Sequence, residues 1–527
     1  MYDLVIKNAR IVDGLGTPAF DGDIAVKDGR IAEMGEIPPS APEVIDAGGQ
    51  VAAPGFIDVH GHSDLFAFVD PDRASKLCQG ITTELCGQCG LGPAPVSQAF
   101  YPQYAGYLGS LGAPVYPQSE AFTSFGAYLD FMETLPLGIH TAYFIPHGMV
   151  RMAVMGLSPE KPSASQLAAM EKLVREGMEQ GALGLSSGLM YAPGIFAGEE
   201  ELTALCQVVG EYGGIYTSHL RDQGRGLEES VAETIRIAKQ TRARANIAHH
   251  KASGKDNWGK VTSTIKQIHD AGVSVAHDVY PYTAGSSSLL STLPHHLQKM
   301  DPADIIAYLG DPKNHAALRD AIFHPAAGFE SPLSDCGYGG ILIFHAAATA
   351  EAVGKSIAQI AEEGGMDPFA AYLKLLIDNQ LSAGYIGFSM SETDVEALLS
   401  DPLCMFGTDA LYVQGMPMTH PRAIGTFPRI LGRYVRESGL LSLEEAIRKM
   451  TSLPAAFYGL KGKGQLRKGM DADMVILDAN RIMDQASYKE PLLPNAGIYR
   501  VIVDGKVAVA DDRALGGRNG KVLRANK

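Results

Sequence analysis

The stretch GFIDVHGH, residues 55–62, decides how the chain reads. Its apolar first half suits a strand buried on both faces, as in a parallel sheet. It then ends on two histidines. His60 and His62 stand two residues apart, so on an extended strand both imidazoles point to one face. Neutral imidazoles on one face can share a metal ion.

Seven further stretches have the same form: GITTELC (80–86), HTAYFIPHG (140–148), ALGLSSGL (182–189), GIYTSHL (214–220), ANIAHHK (245–251), GVSVAHDVY (272–280) and LCMFGTDA (403–410). Helical periodicity lies between several of them. SASQLAAMEKLVREGMEQG (163–181) sets Leu167, Met170, Val174 and Met178 on one stripe, and LEESVAETIRIAKQ (227–240) and SLEEAIRKM (442–450) behave alike. Ser442 and Glu445 have capping-box spacing. About eight strand–helix units in succession predict an α/β fold, a (β/α)8 barrel.

The segment 286–340, rich in Pro, Asp and His, breaks this rhythm and reads as an insertion on the active-site side. Both chain ends alternate apolar and polar residues instead. DLVIKNARIVDG (3–14) and GDIAVKDGRIAEMG (22–35) form a hairpin pattern with Asp28-Gly29 as the turn, and YRVIVDGKVAV (499–509) turns at Asp504-Gly505. The expected organisation is a small β-sandwich domain built from residues 1–54 and 461–527, enclosing a catalytic barrel over 55–460.

Composition narrows the function. A chain of 527 residues with net charge −15, and with no Lys/Arg run longer than two, argues against a nucleic-acid binder. The start lacks a basic segment followed by an apolar one, so no secretory signal is expected. No apolar run reaches the roughly 18 residues of a membrane span. A cytoplasmic protein with a small-molecule substrate is the expectation. The six cysteines, 78, 86, 89, 206, 336 and 404, then read as reduced thiols.

Barrel active sites form at the C-terminal ends of the strands. His60, His62, His219, the pair His249 and His250, and Asp409 all close strand-like runs, and Cys89 follows one in LCGQCG (85–90). Each alone has a bland reading: a hydrogen-bonded strand-end histidine, or Asp409 as a helix cap. Together they point to a metal centre. The C-x-x-C of Cys86 and Cys89 could be a redox pair, half a zinc ribbon, or one ligand beside a bystander. The first wants a helix N-terminus in a much smaller fold. The second wants another C-x-x-C, and none exists.

GFIDVHGH resembles the opening metal motif of the amidohydrolase superfamily. GITTELCGQCG (80–90), GALGLSSGLMYAPG (181–194), YTSHLRDQG (216–224), IAHHKASGKDNWG (247–259), DVYPYTAGSS (278–287), FGTDA (406–410) and HPRAIGTFPRILG (420–432) resemble, in order, its D-aminoacylase branch, the N-acyl-D-amino-acid deacylases. The resemblance spans nearly the whole chain. It implies zinc-dependent hydrolysis of the amide of N-acyl-D-amino acids.

It further implies that Cys89 is the ligand thiolate and Cys86 a packing residue. Cys89, His219 and His249 would hold one tight zinc with an open position, and His249 is preferred over His250 by the family's H-x-K spacing to Lys251. His60, His62 and Asp409 would surround a second, weaker metal position, with Asp409 also the catalytic acid–base. Arg422, Lys251, Tyr191, Tyr282 and Ser288 would contact the substrate carboxylate. No strand-end lysine is available for a carboxylated bridge, since Lys161 and Lys172 lie in a loop or helix; a thiolate supplies the negative charge instead. The chain departs from the family's H-T-H at Gly61 and from its G-N-C-G at Gln88. The competing expectation is another amidohydrolase, opening a cyclic amide or deaminating a ring.

Overall fold

The computed structural model describes residues 1–110, 113–116, 119–325 and 330–525. Eight parallel strands form a barrel: β1 (Phe56–Asp58), β2 (Ile81–Cys86), β3 (His140–Tyr143), β4 (Gly184–Gly188), β5 (Ile215–His219), β6 (Arg244–Ile247), β7 (Val275–Val279) and β8 (Cys404–Phe406). β3 breaks after Tyr143 and continues as Ile145–Pro146, which pairs with β4. Past that point His147 opens the helix His147–Met155, so the apolar run 140–148 is only partly strand. The Val59 amide donating to the Phe406 carbonyl (3.2 Å) and the Asp409 amide donating to the His60 carbonyl (2.7 Å) close β8 onto β1. Nearly every strand residue is buried, as continuous apolar runs covered by helices require.

The outer helices follow their stripes. In the helix Ala164–Glu179, Met170, Val174 and Met178 are buried, and Ser163 caps it in a reciprocal capping box with Gln166. Ser442 also caps its helix, but Glu445 turns its carboxylate to Arg448 (2.7 Å) rather than back to the cap.

Both chain ends meet in one nine-stranded sheet, where Val51–Pro54 pairs antiparallel with Met474–Leu477. Asp28 and Gly29 both have positive φ (53° and 72°), as a type I′ turn demands. The Ile31 amide donates to the Met470 carbonyl (2.9 Å), so the sheet curls on itself around Ile6, Ile24, Val26, Met474 and Ile476.

The excursion after β7 is longer than the 286–340 break in the sequence rhythm. It carries a three-stranded antiparallel sheet from Gly285–Ser288, Ile341–His345 and Gly384–Gly387, and its own core around Leu289, Leu309, Ile343 and Tyr372. The helices that extend it, Ile357–Gly364 and Pro368–Asp378, carry the same amphipathic pattern as barrel helices, which hides the boundary in the sequence. This unit stands over the C-terminal ends of the strands.

Candidate active site

Six side chains converge at that end of the barrel. His60 and His62 follow β1, Cys89 lies in the loop after β2, His219 ends β5, His249 follows β6 and Asp409 follows β8. The Cys89 Sγ lies 3.3 Å from His60 Nε2, 3.5 Å from His249 Nε2 and 3.6 Å from His219 Nδ1. Asp409 Oδ1 lies 3.1 Å from His62 Nε2 and 3.6 Å from His60 Nε2. Ligand atoms of His60, Cys89, His249 and Asp409 all lie within 4.8 Å of one another.

The set fits a bound cation. Donors at about 2.0 and 2.3 Å from a tetrahedral zinc lie about 3.5 Å apart. Cys89, His249 and Asp409 also have left-handed backbones, with φ of 55°, 32° and 47°. A non-glycine residue held there costs on the order of 1–3 kcal/mol, and such strain gathers at ligand sites. His62 Nδ1 and His219 Nε2 are buried without a hydrogen-bond partner among the described residues.

The electrostatics are those of a thiolate among imidazoles. Burial alone would raise the Cys89 thiol, but His60 and His249 hold it well below its ordinary value. Burial likewise opposes charge on His60, yet Cys89 and Asp278 raise it well above the usual range. Burial, and then the Lys251 ammonium, push His249 down to about 3. The Asp409 carboxyl, despite its burial, is held well below the usual carboxylate range by Arg422 and His249.

Cys86 is the contrast within C-x-x-C. It packs in an apolar cluster with Leu65, Ala94 and Tyr143, and burial, reinforced by Glu84 and Asp64, raises its thiol well above the ordinary value. All six cysteines are free. His250 turns from the centre, its Nε2 meeting Thr264 Oγ1 at 2.8 Å.

A cavity opens on these residues, its wall including Tyr191, His219, His249, Lys251, Tyr280 and Asp409. Lys251 Nζ donates to Gln223 Oε1 and lies against His249 Nδ1, both at 2.9 Å. The Tyr191 ring packs edge-on against His219 with centroids 4.8 Å apart. Arg422 is buried over the Tyr280 ring (4.4 Å) and donates from Nη2 to Ser286 Oγ (3.0 Å). Its Nη1 stands 2.8 Å from Asp409 Oδ2, but the N–H misses that oxygen, so Nη1 and Nε keep unused donors.

Two expected contacts fall elsewhere. Tyr282 stands back from the cavity, its hydroxyl 3.3 Å from Asp484 Oδ2 and its ring under Arg429 at 4.7 Å. Tyr280, two residues earlier on the same face, takes the wall position. Ser288 caps a short turn by accepting from the Leu290 amide (3.3 Å), whereas Ser286 and Ser287 line the cavity. The path of the chain after β7, which residue types do not encode, decides both cases.

Other residues carry no sequence signal that singled them out. Asp278 accepts from the backbone amide of His249 (2.8 Å) and lies 3.4 Å from His60 Nδ1, tying the loop after β6 to the first histidine. Its place at the end of an apolar strand was the available clue. Glu84 explains Gly61: a Cβ there would sit 1.9 Å from Glu84 Oε1. The departure from H-T-H thus accompanies a carboxylate buried beneath the histidine pair.

Residues 43–509 match the model of the amidohydrolase family. An N-acyl-D-glutamate deacylase of Alcaligenes xylosoxydans xylosoxydans is 35% identical over 526 residues, 99% of this chain and 96% of its own length. The solved N-acyl-D-glutamate deacylase of Bordetella bronchiseptica, complexed with zinc and a phosphonate mimic of the tetrahedral intermediate, is 34% identical with a TM-score of 0.84, covering 99% of this chain and 100% of that one. A D-aminoacylase structure, studied for its binuclear metal centre with activation by one metal and attenuation by a second, is 31% identical with a TM-score of 0.85 and the same coverage. The chain belongs to the amidohydrolase family. Among the described residues, no helix is long and apolar enough to cross a membrane.

Proposed function

We propose that this chain is a zinc-dependent deacylase that hydrolyses the linear amide bond of N-acyl-D-amino acids, giving a carboxylate and a free D-amino acid. The observation that carries the reading is the convergence of Cys89 with His219, His249 and Asp409, the last three lining one cavity, in a chain related along its length to deacylases of that class. Cys89, His219 and His249 would hold one tight zinc, and His60, His62 and Asp409 a second, weaker position. A zinc ion there supplies Lewis acidity, polarising the amide carbonyl and making water more acidic.

The chain's own residues supply the rest. Asp409, kept ionised by Arg422 and the imidazoles, takes the proton of the attacking water and delivers it to the leaving nitrogen. Lys251, whose Nζ lies 2.9 Å from His249 Nδ1, lines the cavity. There Lys251, the unused donors of Arg422, and Tyr191 bind the substrate carboxylate. Tyr280 and Ser286 take the supporting places first assigned to Tyr282 and Ser288. We place the enzyme in the cytoplasm, where a reducing medium keeps Cys89 a thiolate; cell fractionation checks this.

The test is turnover on N-acetyl-D- and N-acetyl-L-amino acids beside a hydantoin and a dihydropyrimidine, with zinc measured on the same sample. The reading expects turnover of the D-series alone. Turnover of the cyclic amides alone would replace it with a ring-opening function.

A further inference from the structure

Part of the cavity wall is acidic. Glu330 and Asp335, both from the long excursion, line it beside Ser253 and Gln223. Glu330 is 8% exposed, and its Oε2 accepts from the Gln223 amide at 2.8 Å. Among the described residues no donor reaches its Oε1. The carboxylate of Asp335, on the short helix Pro332–Cys336, has neither hydrogen bond nor ion pair among the described residues. Asp222 lies behind them, buried, with one oxygen accepting from the Gly224 amide (2.7 Å).

Neither Lys251 nor Arg422 contacts these carboxylates among the described residues. Lys251 is engaged with Gln223 and His249, and Arg422 with Ser286 and Asp409. A second carboxylate on the substrate would meet like charge at this wall. A positive group would complete it.

We propose that the preferred substrates are N-acyl-D-amino acids with a cationic side chain, an ammonium or guanidinium held by Glu330 and Asp335. The inference rests on the deacylase reading. Side chain and carboxylate leave the same carbon, so the group beside Lys251, the carboxylate's partner, receives the side chain. Lys251, Glu330 and Asp335 line the same cavity. Burial, and then Asp222, raise Glu330 above its ordinary range; burial, then Glu330 and Asp222, push Asp335 up to about 8, with exposed Arg225 offsetting only part. Neither carboxyl has a salt-bridge partner among the described residues, and a bound cation supplies one.

The experiment compares kcat/KM for N-acetyl-D-lysine, N-acetyl-D-arginine, N-acetyl-D-methionine and N-acetyl-D-glutamate in the zinc-loaded wild type, Glu330→Gln and Asp335→Asn. The basic substrates should exceed the other two by at least about tenfold, and either variant should lower the lysine-to-methionine ratio about tenfold. Asp335 is the less buried of the two, so its variant keeps the test usable if Glu330→Gln does not fold. A wild type that prefers methionine or glutamate overturns the inference while leaving deacylation intact, as does a ratio unmoved in both variants. No turnover on any of the four overturns the deacylase reading itself, and the inference with it.

Discussion

Two buried polar clusters meet across β1. Beneath the histidine pair, Lys76 Nζ contacts Asp58 Oδ2 (2.6 Å) and Glu84 Oε1 (3.0 Å), Arg73 Nη1 contacts Glu84 Oε2 (3.1 Å), and Thr408 Oγ1 donates to Asp58 Oδ2 (2.7 Å). Above it stand His60, Cys89, His249 and Asp409. The lower cluster pairs two carboxylates with two fixed cations, charge for charge, though Arg73 Nε and Nη2 have no partner among the described residues. The upper one has a thiolate and a carboxylate among rings with unpartnered nitrogens. Equal burial therefore has two meanings here. A cluster that closes its own charges is scaffold, and one that leaves them open is built around a guest.

The sharpest way to break this comparison is at Asp409. Asp409→Asn should lower kcat by about 10^2–10^4-fold while zinc content persists, because the amide cannot carry the proton. Near wild-type turnover would contradict the role.

Breaking the lower cluster should act on stability instead. Lys76→Met leaves the buried Asp58 without a cation and Glu84 with Arg73 alone, and should cost about 3–5 kcal/mol in urea unfolding. If instead turnover falls and stability holds, the division between clusters is wrong. Gly61→Ala, by forcing a methyl against Glu84, should cost about 1–3 kcal/mol in the same assay.

Removing the guest tests the upper cluster alone. A chelator should lower the wild-type melting temperature, since a ligand at about 100 times its Kd adds about 2.7 kcal/mol to the folded state. Cys89→Ser should melt lower from the outset and respond less to chelation.

The smallest effect lies far from the site. Asp473 binds His140 at the start of β3 (3.1 Å) and Lys463, tying sheet to barrel. Its burial favours the neutral acid, but His140 and Lys463 depress its pKa. Its contribution is thus full above the unfolded value of about 4 and disappears as pH falls through the folded one. Asp473→Asn should be less stable at pH 7 and should show a shallower loss of stability in acid; parallel curves would exclude this.

Much of this was legible in the sequence, and for a physical reason. Strands buried on both faces must be apolar until they reach the site, so each abrupt histidine, cysteine or aspartate at a strand end stood out, as His219 and Asp409 did. The metal-facing choice of Cys89 over Cys86 came from resemblance, since spacing alone left it open. What stayed hidden depends on loop path. Tyr280 against Tyr282, and Ser286 against Ser288, differ only in how the chain leaves β7. Glu330 and Asp335 lie within the 286–340 break, whose residue types do not show which of its acids reach the cavity. Glu84 is an acid within an apolar strand, and only its neighbours Lys76 and Arg73 reveal why it is tolerated.

The central claim is that one zinc is held by a thiolate and two imidazoles. X-ray absorption at the zinc edge of the purified enzyme measures this directly. The account predicts one sulfur near about 2.3 Å and nitrogens near about 2.0–2.1 Å, with the sulfur lost in Cys89→Ser. A shell of nitrogen and oxygen alone in the wild type would contradict it.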